Sequence, residues 1–147
     1  MADPQMYLDA IRTAVRDALR PYGDGAATVT EGYLEQARVD LFEISPRDPA
    51  AAAASVAYLG DDEVTLGFGE THTYLWDEDP VRLGAEIGLV LAAVFAGDFV
   101  EYGFRGDSTA RLSLPGGRRR TVGNIPLPVP WRLLGMVRRY RPYGSRT

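Results

Sequence analysis

The fold is decided by the stretch DPVRLGAEIGLVLAAVFAG, residues 79–97. Asp79 is a good helix N-cap, and Pro80 suits the first helical position, where its missing N–H costs nothing. Gly97 suits the position just past the helix end. Residues 87–96 carry no polar side chain, and a helix that is apolar all round is buried. We therefore expect a central helix over about 80–96 that the other elements cover.

Small residues recur every four positions along this helix and so share one face; they are Gly84, Gly88, Ala92 and Ala96. A stripe of small residues lets another backbone approach closely. Our first interpretation is close packing inside the protein, and the alternative is a homodimer contact across the same face. A membrane span is excluded, because the uncharged run is half of the roughly 20 residues that a bilayer requires.

Length and composition predict one ordinary globular domain over residues 1–147, with 46% hydrophobic and 24% charged residues. Cysteine is absent, which excludes disulfides, a thiol nucleophile and a cysteine-type zinc site. The N-terminus lacks the charged and apolar regions of a signal peptide, so we expect a cytoplasmic protein. Every basic residue is arginine, and this bias is typical of a GC-rich bacterial genome.

An N-terminal amphipathic helix is predicted over about 4–20. Asp3 and Pro4 repeat the start signal of the central helix, and apolar residues follow at spacings of three and four. Those apolar residues are Leu8, Ile11, Val15 and Leu19.

Alternating apolar and polar residues predict two groups of antiparallel strands, one before the central helix and one after it. The predicted strands are 34–44, 55–59, 63–68, 71–76, 100–105, 110–114 and 118–123. Residues 22–32 read as a loop, and 49–54 as either a loop or a short helix. The fold class is therefore α+β, with an antiparallel sheet of about six to seven strands from two meanders. The strands should add to the core Val39, Leu41, Val64, Leu66, Val100, Tyr102 and Leu112.

The C-terminal part begins with a strap at 125–130, where proline at every second position forces an extended chain outside any sheet. A basic segment, 131–147, follows it, with a helix over 132–140 as one interpretation. Its arginines are the best candidates for binding nucleic acid or an anionic membrane, above all Arg138, Arg139 and Arg141. We disfavour nucleic acid, because the chain as a whole has a net charge of −4.

Charge is divided between the two halves of the chain. Residues 1–79 have a net charge of −11 and residues 80–147 of +7. Two acidic clusters and one further acid lie in or beside predicted turns: Asp61, Asp62, Glu63, Glu70, Asp77 and Glu78. Their spacing matches no metal-binding loop, so we expect no metal site. An exposed acidic surface can instead receive a basic partner protein.

A second candidate site is a pocket of ring-bearing side chains between sheet and helix: Tyr58, Phe68, His72, Tyr74, Trp76 and Tyr102. His72 is the single histidine, and Glu70 or Asp77 could orient it as a general base. A structural role is the plainer interpretation of this histidine. No nucleophile, dinucleotide or kinase motif is present, so we assign no catalytic residue and no cofactor.

The leading functional hypothesis is a protein-interaction module that binds a specific partner through its acidic surface. Immunity-type (toxin-neutralising) proteins and dedicated chaperones or adaptors of a GC-rich bacterium have this profile. The alternatives are a small-ligand-binding protein or enzyme with its pocket near His72, and a homodimeric structural protein.

Overall fold

The computed structural model describes residues 2–104, 107–123 and 137–144, and this part of the chain forms two helices and two antiparallel sheets. The helices are α1 (Pro4–Leu19) and α2 (Pro80–Phe95). The first sheet contains β1 (Ala27–Leu34), β2 (Val39–Pro46), β3 (Ala54–Gly60), β4 (Glu63–Phe68) and β5 (Thr71–Trp76), in chain order. The second sheet has the order β8-β7-β6-β9, with β6 (Phe99–Phe104), β7 (Asp107–Ser113), β8 (Arg119–Gly123) and β9 (Val137–Arg139).

The α+β class, both helices and both groups of strands are confirmed. The two meanders build separate sheets of five and four strands, where the sequence predicted one sheet of six to seven. Within the described residues, no helix combines the length and the apolar character needed to cross a bilayer.

Both helices begin where their capping residues predict. The Asp79 carboxylate accepts a hydrogen bond from the Val81 N–H at 2.9 Å, and the Asp3 carboxylate accepts one from the Gln5 N–H at the same distance. Most side chains of α2 are buried, but Ala85 and Ala92 are exposed along one face of the helix. The core around the buried side includes Ile11, Val15, Val64, Leu66, Ile87, Leu91, Val94 and Leu112, as predicted. The layers therefore cover most of the central helix and leave one face open.

The small residues of α2 allow α1 to pack closely. A β-carbon placed on Gly84 would lie 3.1 Å from the Ala10 β-carbon, whereas one on Gly88 would lie 3.9 Å from the Ala14 β-carbon. Close helix packing thus explains Gly84. The space beside Gly88 is large enough for a β-carbon. The homodimer contact across this face stays a prediction.

We expect Gly88→Ala to stabilise the protein by about 0.5–1 kcal/mol, because alanine removes backbone freedom from the unfolded chain and fits the native space. Gly84→Ala should stabilise the protein less, because the added methyl group would lie too close to the Ala10 side chain. Urea unfolding of both variants measures the difference. Equal stabilities of the two variants would contradict the closer packing of α1 against Gly84 than against Gly88.

The first hairpin differs from its prediction. Residues 22–32, read as a loop, contain most of β1, and the predicted strand 34–44 is interrupted by a turn at 35–38. Val39 and Leu41 were expected in the core, but Phe42 and Ile44 occupy it. β1 escaped the prediction because both of its faces are largely exposed, so its sequence lacks the apolar alternation of a half-buried strand.

β6 shows the opposite face to the core from the one predicted. Val100 and Tyr102 are half-buried, while Glu101 between them is completely buried. The side chain of Arg138, on the neighbouring strand β9, pairs with Glu101 at 2.8 Å. A buried carboxylate is tolerated where such a partner compensates its charge.

Two further predictions concern the segments around the sheets. Residues 49–53 form a turn and an isolated bridge from Ala51 to Arg141, and Ala54 begins β3, so the alternative of a loop is correct before the strand. The interpretation of 132–140 as a helix is wrong for 137–139, which form β9. The strap at 125–130 lies outside the described residues.

Candidate partner-binding surface

Five of the six predicted acidic residues meet at one end of the first sheet. The β4–β5 register pairs Glu63 with Trp76, and the Asp77 N–H donates to the Asp62 carbonyl at 3.1 Å. The turn between β3 and β4 therefore lies beside the segment that leads into α2. We call this surface, formed by Asp61, Asp62, Glu63, Asp77 and Glu78, the acidic end.

The local sequence builds this end from a tight turn and a helix start. Gly60 and Asp61 adopt φ of 96° and 53°, and aspartate tolerates this left-handed region better than most residues. The turn therefore reverses β3 into β4 within two residues. On the other side, the Asp79 cap starts α2 directly after the acidic segment.

Two buried tyrosines hold the backbone of the acidic end from below. The Tyr7 hydroxyl donates to the Asp77 carbonyl at 2.9 Å, and the Tyr58 hydroxyl donates to the Asp61 carbonyl at 2.8 Å. Their rings stack with centroids 5.6 Å apart. Burial raises the pKa of both tyrosines, and the charges of Asp62 and Asp77 raise the pKa of Tyr7 further. Both hydroxyls thus stay protonated and position the acidic segments.

Sequence reasoning assigned Tyr58 to the pocket and gave Tyr7 no role. The signal that could have found Tyr7 is its helical spacing to Ile11, Ala14 and Ala18, which places it on the buried face of α1.

The carboxylates of the acidic end differ in whether they already accept hydrogen bonds within the protein. Asp77 accepts hydrogen bonds from Arg82 at 3.0 and 3.1 Å and from the Asp79 N–H at 2.8 Å, and these lower the pKa of Asp77. Asp61, Glu63 and Glu78 are exposed, and within the described residues none of the three has an ion-pair partner. Asp77 therefore shapes the surface, and the other three present negative charge to solvent.

Glu70, the sixth predicted acid, lies elsewhere. It occupies the β4–β5 turn, at the opposite end of these strands, and its N–H donates to the buried Glu101 carboxylate at 2.8 Å. Since antiparallel strands reverse at each turn, the acids before β4 and after it fall at opposite ends of the sheet.

The six residues predicted to line a pocket are divided between several surfaces. Tyr58 and Phe68 are buried in the core, and Tyr102 is half-buried on β6. The remaining three, His72, Tyr74 and Trp76, alternate along β5 and are exposed on the outer face of the first sheet.

His72 covers a glycine on the neighbouring strand. A β-carbon on Gly67, its cross-strand partner, would lie 3.2 Å from the imidazole ring and 2.9 Å from the Ser55 hydroxyl. Glu43, Ser55 and His72 border a shallow hollow of about 330 Å³ here. Within the described part of the chain, no hydrogen bond joins these three side chains.

Two large aromatic side chains extend the acidic end onto the outer face. Tyr74 is 71% exposed and Trp76 is 73% exposed, and the cross-strand partner of Trp76 is the acidic Glu63. Tyrosine and tryptophan are the residues that most often dominate protein–protein binding energy. The candidate surface therefore combines exposed carboxylates with aromatic side chains free for contact.

The three arginines predicted to form a basic surface, Arg138, Arg139 and Arg141, differ in their orientation and partners. Arg138 is turned inward, with its side chain 18% exposed, and it donates to Glu101, the Gly103 carbonyl and the Ser108 hydroxyl. Arg139 is exposed on β9, and Arg141 lies 3.6 Å from Asp48. One of the three arginines predicted to form a basic surface is therefore an interior ion-pair partner.

Among residues 2–104, 107–123 and 137–144, no three histidine, aspartate or glutamate side chains are grouped so as to hold a metal ion. Comparison of the chain with protein-family models, curated proteins and solved structures finds no significant match.

Proposed function

We propose that the protein is an interaction module that binds a basic partner protein through the acidic end, with Tyr74 and Trp76 as aromatic contacts. The observation that carries this proposal is the juxtaposition of Asp61, Glu63 and Glu78, exposed and unpaired within the described residues, with two largely exposed rings. Charge of one sign steers a complementary partner and disfavours others. Immunity-type proteins and chaperones or adaptors of a bacterium are the classes that we propose.

Two tyrosine hydroxyls fix the backbone of the acidic end. Tyr7 and Tyr58 hold the carbonyls of Asp77 and Asp61, so the acidic backbone is ordered before a partner arrives. A surface that is ordered in advance loses less conformational entropy on binding.

The test compares two triple variants, each of which removes three negative charges. Asp61→Asn/Glu63→Gln/Glu78→Gln alters the acidic end, and Asp24→Asn/Asp98→Asn/Glu43→Gln alters exposed acids elsewhere. Native mass spectrometry of wild-type protein purified gently from its host identifies a stoichiometric polypeptide. Titration of that polypeptide should show at least about tenfold weaker binding for the first variant, with a reduced salt dependence.

The second variant should bind as wild type, since its substitutions lie away from the acidic end. Equal affinities of the two variants would show that the partner does not use this surface. Retention of a small molecule in place of a polypeptide would contradict the proposal and favour a ligand-binding function.

A further inference from the structure

The outer edge of β1 presents unpaired backbone groups. The Arg47 N–H donates to the Ala26 carbonyl at 2.8 Å, and hydrogen-bonded pairs alternate along an antiparallel ladder. The residues that direct their N–H and C=O groups away from β2 are therefore Ala27, Val29, Glu31 and Tyr33. Within the described ranges, no backbone hydrogen bond reaches these groups from another segment.

This edge lacks the features that usually block pairing with another strand. β1 has eight residues without proline or lysine, and its register with β2 is continuous. Its single charge, Glu31, pairs with Arg12 at 2.9 Å. An edge of this length and composition is a template for a further strand.

The same four residues share the face of β1 that is turned toward α1, and three of them, Ala27, Val29 and Glu31, border a groove of about 610 Å³. Val15, Leu19, Val29 and Phe42 contribute its apolar surface, and Gly23 and Gly25 leave space at the end beside Ala27. Tyr33, at the other end of the strand, is 56% exposed. An added strand would direct every second side chain into this groove.

We propose that the added strand is β1 of a second copy of this chain, paired antiparallel about a twofold axis at Thr30. In this register Ala27 lies opposite Tyr33 of the second copy, and Val29 lies opposite Glu31 of the second copy. All four outward-facing residues of each strand are then hydrogen bonded. Shifting the axis to Val29 or to Glu31 loses pairs at the strand ends, and the latter also opposes two glutamates.

Self-complementarity is what favours a second copy over another partner. The register places the exposed ring of Tyr33 over Ala27, at the end of the groove that Gly23 and Gly25 leave open. It also brings Glu31 of the second copy toward the groove that Arg16 borders. Among the described residues, the one ion pair of Arg16 is a long contact of 3.6 Å with Asp17. The dimer joins two five-stranded sheets into one continuous sheet and leaves the acidic ends exposed.

The chain contains no cysteine, so single substitutions can test the register. Thr30 would face its own symmetry mate in a non-hydrogen-bonded pair, with α-carbons about 4.5 Å apart, within the range that a disulfide spans. Thr28 lies on the same face, but its symmetry mate would be four residues away in register, about 13 Å along the strand. Mild oxidation should cross-link Thr30→Cys into a dimer and leave Thr28→Cys uncross-linked.

Light scattering after size exclusion tests the dimer without cysteine. Wild-type protein should have twice the monomer mass of 16.1 kDa. Val29→Lys/Tyr33→Lys should give the monomer, while Val81→Lys, at a more exposed apolar residue of α2, should remain dimeric. A monomeric wild type, a dimer that persists in the double variant, or equal cross-linking of the two cysteine variants would each overturn the proposal.

Discussion

Replacing Glu101 with alanine is expected to lower the free energy of unfolding by about 3–5 kcal/mol. The Glu101 carboxylate is fully buried and accepts four hydrogen bonds. They come from the Glu70 N–H at 2.8 Å, the Thr71 hydroxyl at 2.6 Å, Arg138 at 2.8 Å and the Tyr140 hydroxyl at 2.7 Å. The truncation would leave the Arg138 cation and three further donors without their acceptor.

The Glu101 carboxylate also changes the pKa values of two groups that donate to it, Tyr140 and Arg138. Burial and the hydrogen bond to Glu101 raise the pKa of Tyr140 to about 12. Burial alone lowers the pKa of Arg138, but the hydrogen bond and the charge of Glu101 outweigh it, so the net direction is upward. Both groups are therefore held in their protonated forms against a single carboxylate, which joins the β4–β5 turn to β6 and β9.

Urea and thermal unfolding measure the effect, with a melting temperature lower by roughly 10 °C. The control is Asp17→Ala, which breaks an exposed pair with Arg20 and should cost less than about 1 kcal/mol. In a double-mutant cycle, Glu101→Leu/Arg138→Met should be less destabilised than the sum of its single changes. If Glu101→Ala lowered the free energy of unfolding as little as Asp17→Ala does, Glu101 would not be a buried partner of Arg138.

Phe95→Ala is expected to destabilise the protein by about 3–5 kcal/mol, because it opens a cavity at the end of the central helix. Phe95 is fully buried, and its ring centroid lies 4.4 Å from that of Tyr143. The Phe95 carbonyl also accepts a hydrogen bond from the Tyr143 N–H at 2.8 Å, and the Tyr143 hydroxyl donates to the Ala52 carbonyl. The ring thus packs the C-terminal segment against the core.

Val81→Ala is the matched control, since Val81 lies on the same helix and is 74% exposed. Its stability should change by less than about 0.5 kcal/mol. Calorimetry or urea unfolding gives both values. If Phe95→Ala lowered the free energy of unfolding as little as Val81→Ala does, the core would have to fill the cavity by rearranging. That result would contradict the close packing at the end of α2.

The central helix, the N-terminal helix and most strands could be predicted from the sequence because their signals are local. Asp79 caps a helix whose first hydrogen-bonded N–H lies two residues away, and a run of ten apolar residues indicates a helix that packs most of its surface in the core. The turn at Asp61 and Asp62 is equally local. For the same reason, the acids of these turns could be named as candidates from the sequence.

What the sequence could not decide is which face of a strand meets the core. A period of two separates the two faces without assigning either one, and Glu101 between Val100 and Tyr102 was placed outside. Its burial depends on Arg138, which lies 37 residues away. The same reason applies to β2, where Phe42 and Ile44, and not Val39 and Leu41, face α1.

By itself, then, the sequence determined the helices, the α+β class and the set of acidic turn residues, since each depends on neighbours within about one helical turn or one hairpin. The tertiary structure alone decided that Glu63 and Asp77 share one end of the sheet while Glu70 lies at the other. It also decided that Tyr7 supports the acidic end and that β1 is the edge strand of the first sheet. These outcomes depend on strand register and on contacts between distant segments, and the side chains that make them carry no local signal of their partners.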